Sequence, residues 1–213
     1  MYLVPGESPQ WRPTIFNSLV VPRPIGWIGT LGPDGAANLA PFSYFNALSS
    51  NPPMVMFCAN ASHAEGGNKD SLRNARTSGE FTANLATWEL REAMNLSSTP
   101  APRAVDEFEV AGLEKAASRQ IAAPRVARAP VSLECRVVQV VDLPTDEATG
   151  QTNTMVVGRV VAVHIRDDLF DARGRVNVMG EKPLTRLGGF QYGVVGEIFE
   201  MPRPGWPLKE AAG

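Results

Sequence analysis

The residues of this chain that could do chemistry are small and polar, and they sit where β-like runs end: Thr30, Asn38, Ser43, Asn46, Ser49, Ser50 and Asn60, followed by Ser62 and Lys69. Hydroxyls, amides and neighbouring backbone groups can hydrogen-bond a flat heterocycle that carries ring carbonyls and nitrogens. A phosphate demands a cation, a hydroxyl donor and free backbone N–H groups. Ser62, Lys69 and the amides entering a helix after Lys69 supply all three. The same spacing also has a bland reading, the solvated polarity of loops.

Other chemistries lack their residues. The two cysteines, Cys58 and Cys135, and two histidines, His63 and His164, form no CxxC, HxH or HExxH, so a Cys/His zinc site has no ligands. Both cysteines lie in apolar alternating runs and read as buried thiols in a reducing compartment, the cytoplasm. No GxGxxG follows a strand, and neither a GxxxxGK[ST] phosphate loop nor a GxSxG nucleophile elbow occurs. A net charge of −2 gives no field that would draw nucleic acid or anionic lipid. No apolar run approaches the ~18–20 residues of a spanning helix, and the N-terminus lacks the basic and apolar regions of a secretory signal.

The elements that must position the polar residues read as mainly β. Ile25–Leu31 and Ala37–Phe45 make a hairpin through the turn Gly32-Pro33-Asp34-Gly35. Asn51-Pro52-Pro53 breaks the chain before a buried strand Met54–Ala59. Asn68 caps a helix Lys69–Thr77 that Gly79 stops; Glu80–Ala86 is a strand; Thr87 caps a second helix. Residues 99–130 read as an excursion over the surface. Alternation in Val131–Val137 and the run Thr154–Ile165 predict a long hairpin. With 213 residues, 44% of them hydrophobic, the chain suits one domain over 1–213, a closed or partly closed barrel with peripheral helices.

Several stretches together resemble the flavin reductase-like family, the FMN-binding split-barrel group of flavoredoxins and the flavin-reductase components of two-component monooxygenases. They are Pro22-Arg23-Pro24-Ile25-Gly26-Trp27-Ile28-Gly29-Thr30, Asp34-Gly35, Asn38 to Asn46, Asn51-Pro52-Pro53, Lys69-Asp70-Ser71 with Asn74, Glu80-Phe81, Asn84, Val105 to Phe108, Gly158-Arg159-Val160 with His164, and Arg186 to Gly189 with Tyr192. The resemblance implies a Greek-key split β-barrel over about 18–205, a homodimer, and FMN near the subunit interface. Thr30, Ser43, Asn46 and Ala47, Leu48, Ser49 and Ser50 would then meet the ring or ribityl chain, Ser62 and Lys69 the phosphate, and Tyr192 the flavin from the C-terminal part. One departure stands out: where the family often has an Arg after the loop serine, this chain has His63, with Arg73 or Arg76 as substitutes for the missing cation.

The implied activity is hydride transfer from NAD(P)H to FMN, with reduced flavin or electrons passed to a partner such as a monooxygenase. Such transfer needs stacking and distance more than an acid–base pair. Alternatives are a flavoredoxin-like electron carrier with permanently bound FMN, a non-catalytic FMN-binding protein, and a β-barrel interaction module that binds no flavin. His164 is the candidate catalytic residue, against a structural histidine among valines. Asn84 either binds ligand or anchors a loop, and Asp106-Glu107-Phe108 is either an acidic turn or part of a lid.

Overall fold

The computed structural model describes residues 1–60 and 62–206. Its strands are β1 (Arg23–Pro24), β2 (Gly26–Leu31), β3 (Ala37–Phe42), β4 (Phe45–Ser50), β5 (Pro53–Ala59), β6 (Glu80–Leu85), β7 (Lys115–Ala116), β8 (Arg125–Val126), β9 (Val131–Asp142), β10 (Thr154–Ile165), β11 (Leu184–Arg186) and β12 (Tyr192–Val194). The helices are α1 (Pro13–Leu19), α2 (Asp70–Ser78), α3 (Arg91–Leu96) and α4 (Glu107–Val110).

Seven strands form one antiparallel sheet in the order β3-β2-β6-β9-β10-β5-β4. Its two edges, β3 and β4, are neighbours in the chain, separated only by Ser43 and Tyr44. Edges of a flat seven-stranded sheet would lie roughly 29 Å apart, whereas the Phe42–Phe45 link spans at most roughly 11 Å. The sheet must therefore curl until its edges meet without a hydrogen-bonded seam, which is the expected split barrel. Phe42, Phe57 and Phe81 line the interior, with centroids 5.0 and 5.2 Å apart along the series. Gly158 makes room for them: a Cβ there would fall 2.4 Å from the Phe81 ring. Leu72 and Ala75 of α2 complete this core.

Successive residues of a strand point to opposite faces, so Ile28 enters the interior core while Trp27 enters a second core outside the barrel. That outer core corrects one expectation. Residues 99–130 are not a surface excursion, because Phe108, Leu113 and Val126 are buried against Trp27 and Leu39. Sparse apolar residues among Ala, Pro and Arg hid this packing from periodicity.

Other boundaries moved. The hairpin's return strand ends at Phe42, and the turn at Ser43–Tyr44 starts a separate edge strand. Asn68 is not the cap of α2; Lys69 occupies that position without a side-chain cap bond, and Gly79 ends the helix at φ 70° as expected. The second helix starts after Leu90, and Thr87 holds it through its carbonyl rather than its hydroxyl. The segment before β1, for which the sequence offered no element, contains α1. Both cysteines are buried free thiols, and the buried surroundings of Cys135 push its thiol up to about 12.

Candidate functional site

Two adjoining cavities lie where the barrel's split meets the outer core. The first, about 150 Å³, has walls from β3 (Asn38, Pro41, Phe42), the loop before α2 (Ser62, His63), the start of α2 (Lys69, Asp70, Ser71), the segment Ser97–Ala101, and Glu107 of α4. The second, about 920 Å³, shares Pro41 and Ser98 with it and is walled by Trp88, α3, β11 and β12.

Ser62 and Lys69, named from sequence as a phosphate pair, face the same cavity. A bridge between Ser62 and Asn68 folds the intervening loop back on itself. Arg103 then clasps that loop. It donates to Gly66 O at 2.6 Å and Asn68 O at 3.0 Å, and its guanidinium pairs with Asp70. Arg73 lies 3.3 Å from the same carboxylate, and His63 Nε2 is 3.3 Å from it. Asp70 is therefore paired with two guanidinium groups, whereas Lys69 has no ion pair or side-chain hydrogen bond among the described residues. Burial pushes the Lys69 amine below its ordinary value. A partly buried ammonium with no counter-ion is unfavourable unless an anion arrives.

Behind Lys69 the wall is a buried hydrogen-bonded network. Ser71 Oγ donates to Asn38 Oδ1 at 2.8 Å; Asn38 Nδ2 and Leu39 N donate to Glu107 Oε2 at 2.8 and 3.1 Å. Thr30 belongs to this network, 3.3 Å from Asn38 Oδ1 and accepting from Asn74 Nδ2 at 3.2 Å. It is fully buried and supports Asn38 without lining the cavity. Burial pushes the Glu107 carboxyl above its usual range, although hydrogen bonds from Leu39 N, the Asn38 side chain and its own backbone amide oppose that shift.

The remaining sequence-named residues are more dispersed. Ser43 is half-buried in the turn that bridges the split. Asn46, Ala47, Leu48, Ser49 and Ser50 lie on β4, an edge strand paired on one side only, with Leu48 half exposed. Asn46 folds its Oδ1 back onto Ala47 N at 2.9 Å. Tyr192 lines the second cavity.

His164 lies with Arg125 and Arg166 at another cavity, where its Nε2 bonds the buried Glu134 carboxylate. Arg76 pairs with Asp142 on β9, so neither it nor Arg73 lines the first cavity. Asn84 anchors a loop, receiving Val126 N at 3.0 Å and Ser132 Oγ at 2.8 Å. Arg23 staples the N-terminal segment through Asn17 O, Val20 O and Leu187 O. Sequence reasoning missed Arg103 and Ser97–Ala101, whose contacts with Asp70, Trp27 and His63 are distant along the chain. It noted Glu107, but gave no sign that Asp106 caps α4 and so leaves Glu107 facing inward.

The family model described as "Flavin reductase like domain" matches residues 18–182. This chain belongs to the flavin reductase-like family. Among relatives, the uncharacterized protein BH2278 of Halalkalibacterium halodurans is 36% identical over 87% of each chain, and YwrF of Bacillus subtilis is 32% identical over 96% of this chain and 100% of its own. Among solved structures, nitrilotriacetate monooxygenase component B from Bacillus cereus superposes with a TM-score of 0.87 at 30% identity, covering 94% of this chain and 98% of that one. The Pseudomonas fluorescens 2-nitrobenzoate 2-nitroreductase NbaA gives 0.83 at 26%, covering 100% of both. The fold is the mainly β split barrel of flavin reductases and flavoredoxins. Among the described residues no helix is long and apolar enough to cross a membrane, and no cluster of His, Cys, Asp and Glu could hold a metal.

Proposed function

We propose that this family member is a cytoplasmic, homodimeric NAD(P)H:FMN oxidoreductase that passes reduced flavin or electrons to a partner such as a monooxygenase. The observation that carries the reading is Lys69. It is a partly buried cation without a counter-ion among the described residues, beside the Ser62 hydroxyl and at the start of the nine-residue helix α2. That donor set suits a phosphate monoester. The two relatives named for monooxygenase and nitroreductase functions give the redox context.

The chain's own residues then divide the work. Lys69 and Ser62 hold the phosphate, and Arg103 fixes the loop that carries them. Ser43, Asn46 and the free backbone edge at Ala47–Ser50 offer donors and acceptors to the polar rim of the ring. Bound FMN supplies the hydride-accepting centre. Hydrogen-bond donors on that protein edge would favour the negative charge FMN gains on accepting a hydride. Tyr192 closes the ligand from the side of the second cavity. His164 is already engaged by Glu134 and is left out of the transfer step.

The test is spectroscopic. Purified protein should take up FMN, show a flavin spectrum, and bleach anaerobically on addition of NADH or NADPH. A protein that binds FMN but never bleaches would be a non-catalytic carrier. One that takes up no FMN would contradict the site itself.

A further inference from the structure

The second cavity contains more recognition chemistry than a flavin needs. Two guanidinium–aromatic pairs line it: Arg91 over Trp88 at 4.1 Å, and Arg186 over Tyr192 at 4.5 Å. Met94 and Leu184 form its apolar floor, and Phe190 stands almost fully exposed at its rim. The two cations are not equivalent. Arg91 is opposed by Glu92 at 3.4 Å and donates to Trp88 O at 2.8 Å. Arg186 has no carboxylate within ion-pair distance among the described residues. It donates only to Tyr192 Oη and Gly189 O, each at 2.6 Å, which leaves three of its five N–H groups for a ligand. With Arg91, Arg186 and Glu92 as its charged residues, the lining carries a net charge of +1.

We propose that this cavity is a binding subsite for a flat aromatic monocarboxylate, its ring held between Trp88 and Tyr192 and its carboxylate on Arg186. A volume of about 920 Å³ lies in the range of small-molecule sites. Aromatic walls select a planar π-face over an aliphatic chain. One uncompensated guanidinium matches one carboxylate in fork geometry, whereas a dinucleotide would bring at least two negative charges to a single free cation. The subsite adjoins the proposed flavin site through Pro41 and Ser98. It takes its functional meaning, though not its geometry, from the flavin reading.

The experiment is calorimetric titration of the full chain, FMN-loaded and flavin-stripped, with 2-naphthoate, its neutral analogue 2-naphthamide, the non-aromatic decanoate, and NADH. The expected result is 2-naphthoate bound about tenfold tighter than either analogue. R186Q should abolish the preference for carboxylate over amide, and R186K should restore part of it, which separates lost charge from misfolding. Equal affinity for acid and amide, an unchanged preference in R186Q, or NADH binding in the cavity with no naphthoate binding would each overturn the proposal. The flavin-stripped arm keeps the two readings apart. Naphthoate selectivity in a chain that refuses FMN would sink the flavin site alone, and FMN uptake without naphthoate selectivity would sink the subsite alone.

Discussion

Two buried glutamates sit in different parts of the molecule, and their surroundings differ in a way that separates architecture from function. Glu134, fully buried on β9, uses both oxygens: Oε1 receives Arg119 N at 2.8 Å and His164, and Oε2 receives Gln120 N at 2.7 Å. Burial alone would raise its carboxyl, but the hydrogen bonds from His164 and the two amides outweigh burial and hold it below the usual range. Glu107 takes both of its hydrogen bonds on one oxygen, faces a cavity, and is pushed up by burial. A satisfied buried charge ties segments together. A less satisfied one lining the same cavity as an uncompensated lysine marks a place where the protein leaves polar groups for something else.

Substitution should expose the contrast. The largest effect is expected for E134Q. Its amide would turn N–H groups toward N–H donors, so chemical denaturation should show a loss of about 2–4 kcal/mol, with FMN affinity of the folded fraction preserved. A full-stability E134Q would mean that the clasp is ornamental.

Next comes K69M. It should weaken FMN about tenfold or more in a fluorescence titration, leave riboflavin affinity where it was, and cost no stability, because the lysine is uncompensated in the empty protein. Equal losses for FMN and riboflavin would place Lys69 at the ring instead.

The two glutamates also predict opposite acid responses. Glu134 has a depressed folded value, so its contribution is complete above the ordinary carboxylate range and disappears as pH falls through that range toward the folded value. Glu107 has a raised folded value, so the native state binds its proton more tightly, and this group adds stability as pH falls from the folded value to the ordinary one. As pH falls from 7 to 3, a range set by ordinary carboxylate values, the deficit of E134Q against wild type in denaturation midpoint should therefore narrow, whereas E107Q should fall increasingly below wild type. The smallest change is E107Q at neutral pH. The single accepting oxygen survives, so stability should shift by less than about 1 kcal/mol, with FMN bound somewhat more tightly once a negative charge is gone.

How legible these regions were in the sequence follows from the range of the interactions. The β2–β3 hairpin and the β9–β10 hairpin were readable because alternation and turn chemistry are local. Ser62 and Lys69 were readable as a pair because they flank one loop. Thr30 was placed at the ligand, yet the structure puts it one hydrogen bond behind Asn38, a difference that side-chain type cannot encode. Arg103 on Asp70, Phe108 under Trp27 and Glu134 on His164 are contacts across 30 residues or more, and no periodicity announces them. His63 stands where the family often has an arginine, and Arg103 supplies a guanidinium to that loop from another segment.

The most direct test is paired titration of flavin-free wild-type protein with FMN and with riboflavin at neutral pH and at rising alkaline pH. The account predicts that FMN binds at least about tenfold tighter than riboflavin at neutral pH. That advantage should shrink as Lys69 loses its proton below the ordinary lysine value. FMN and riboflavin binding equally well across the whole range would contradict it.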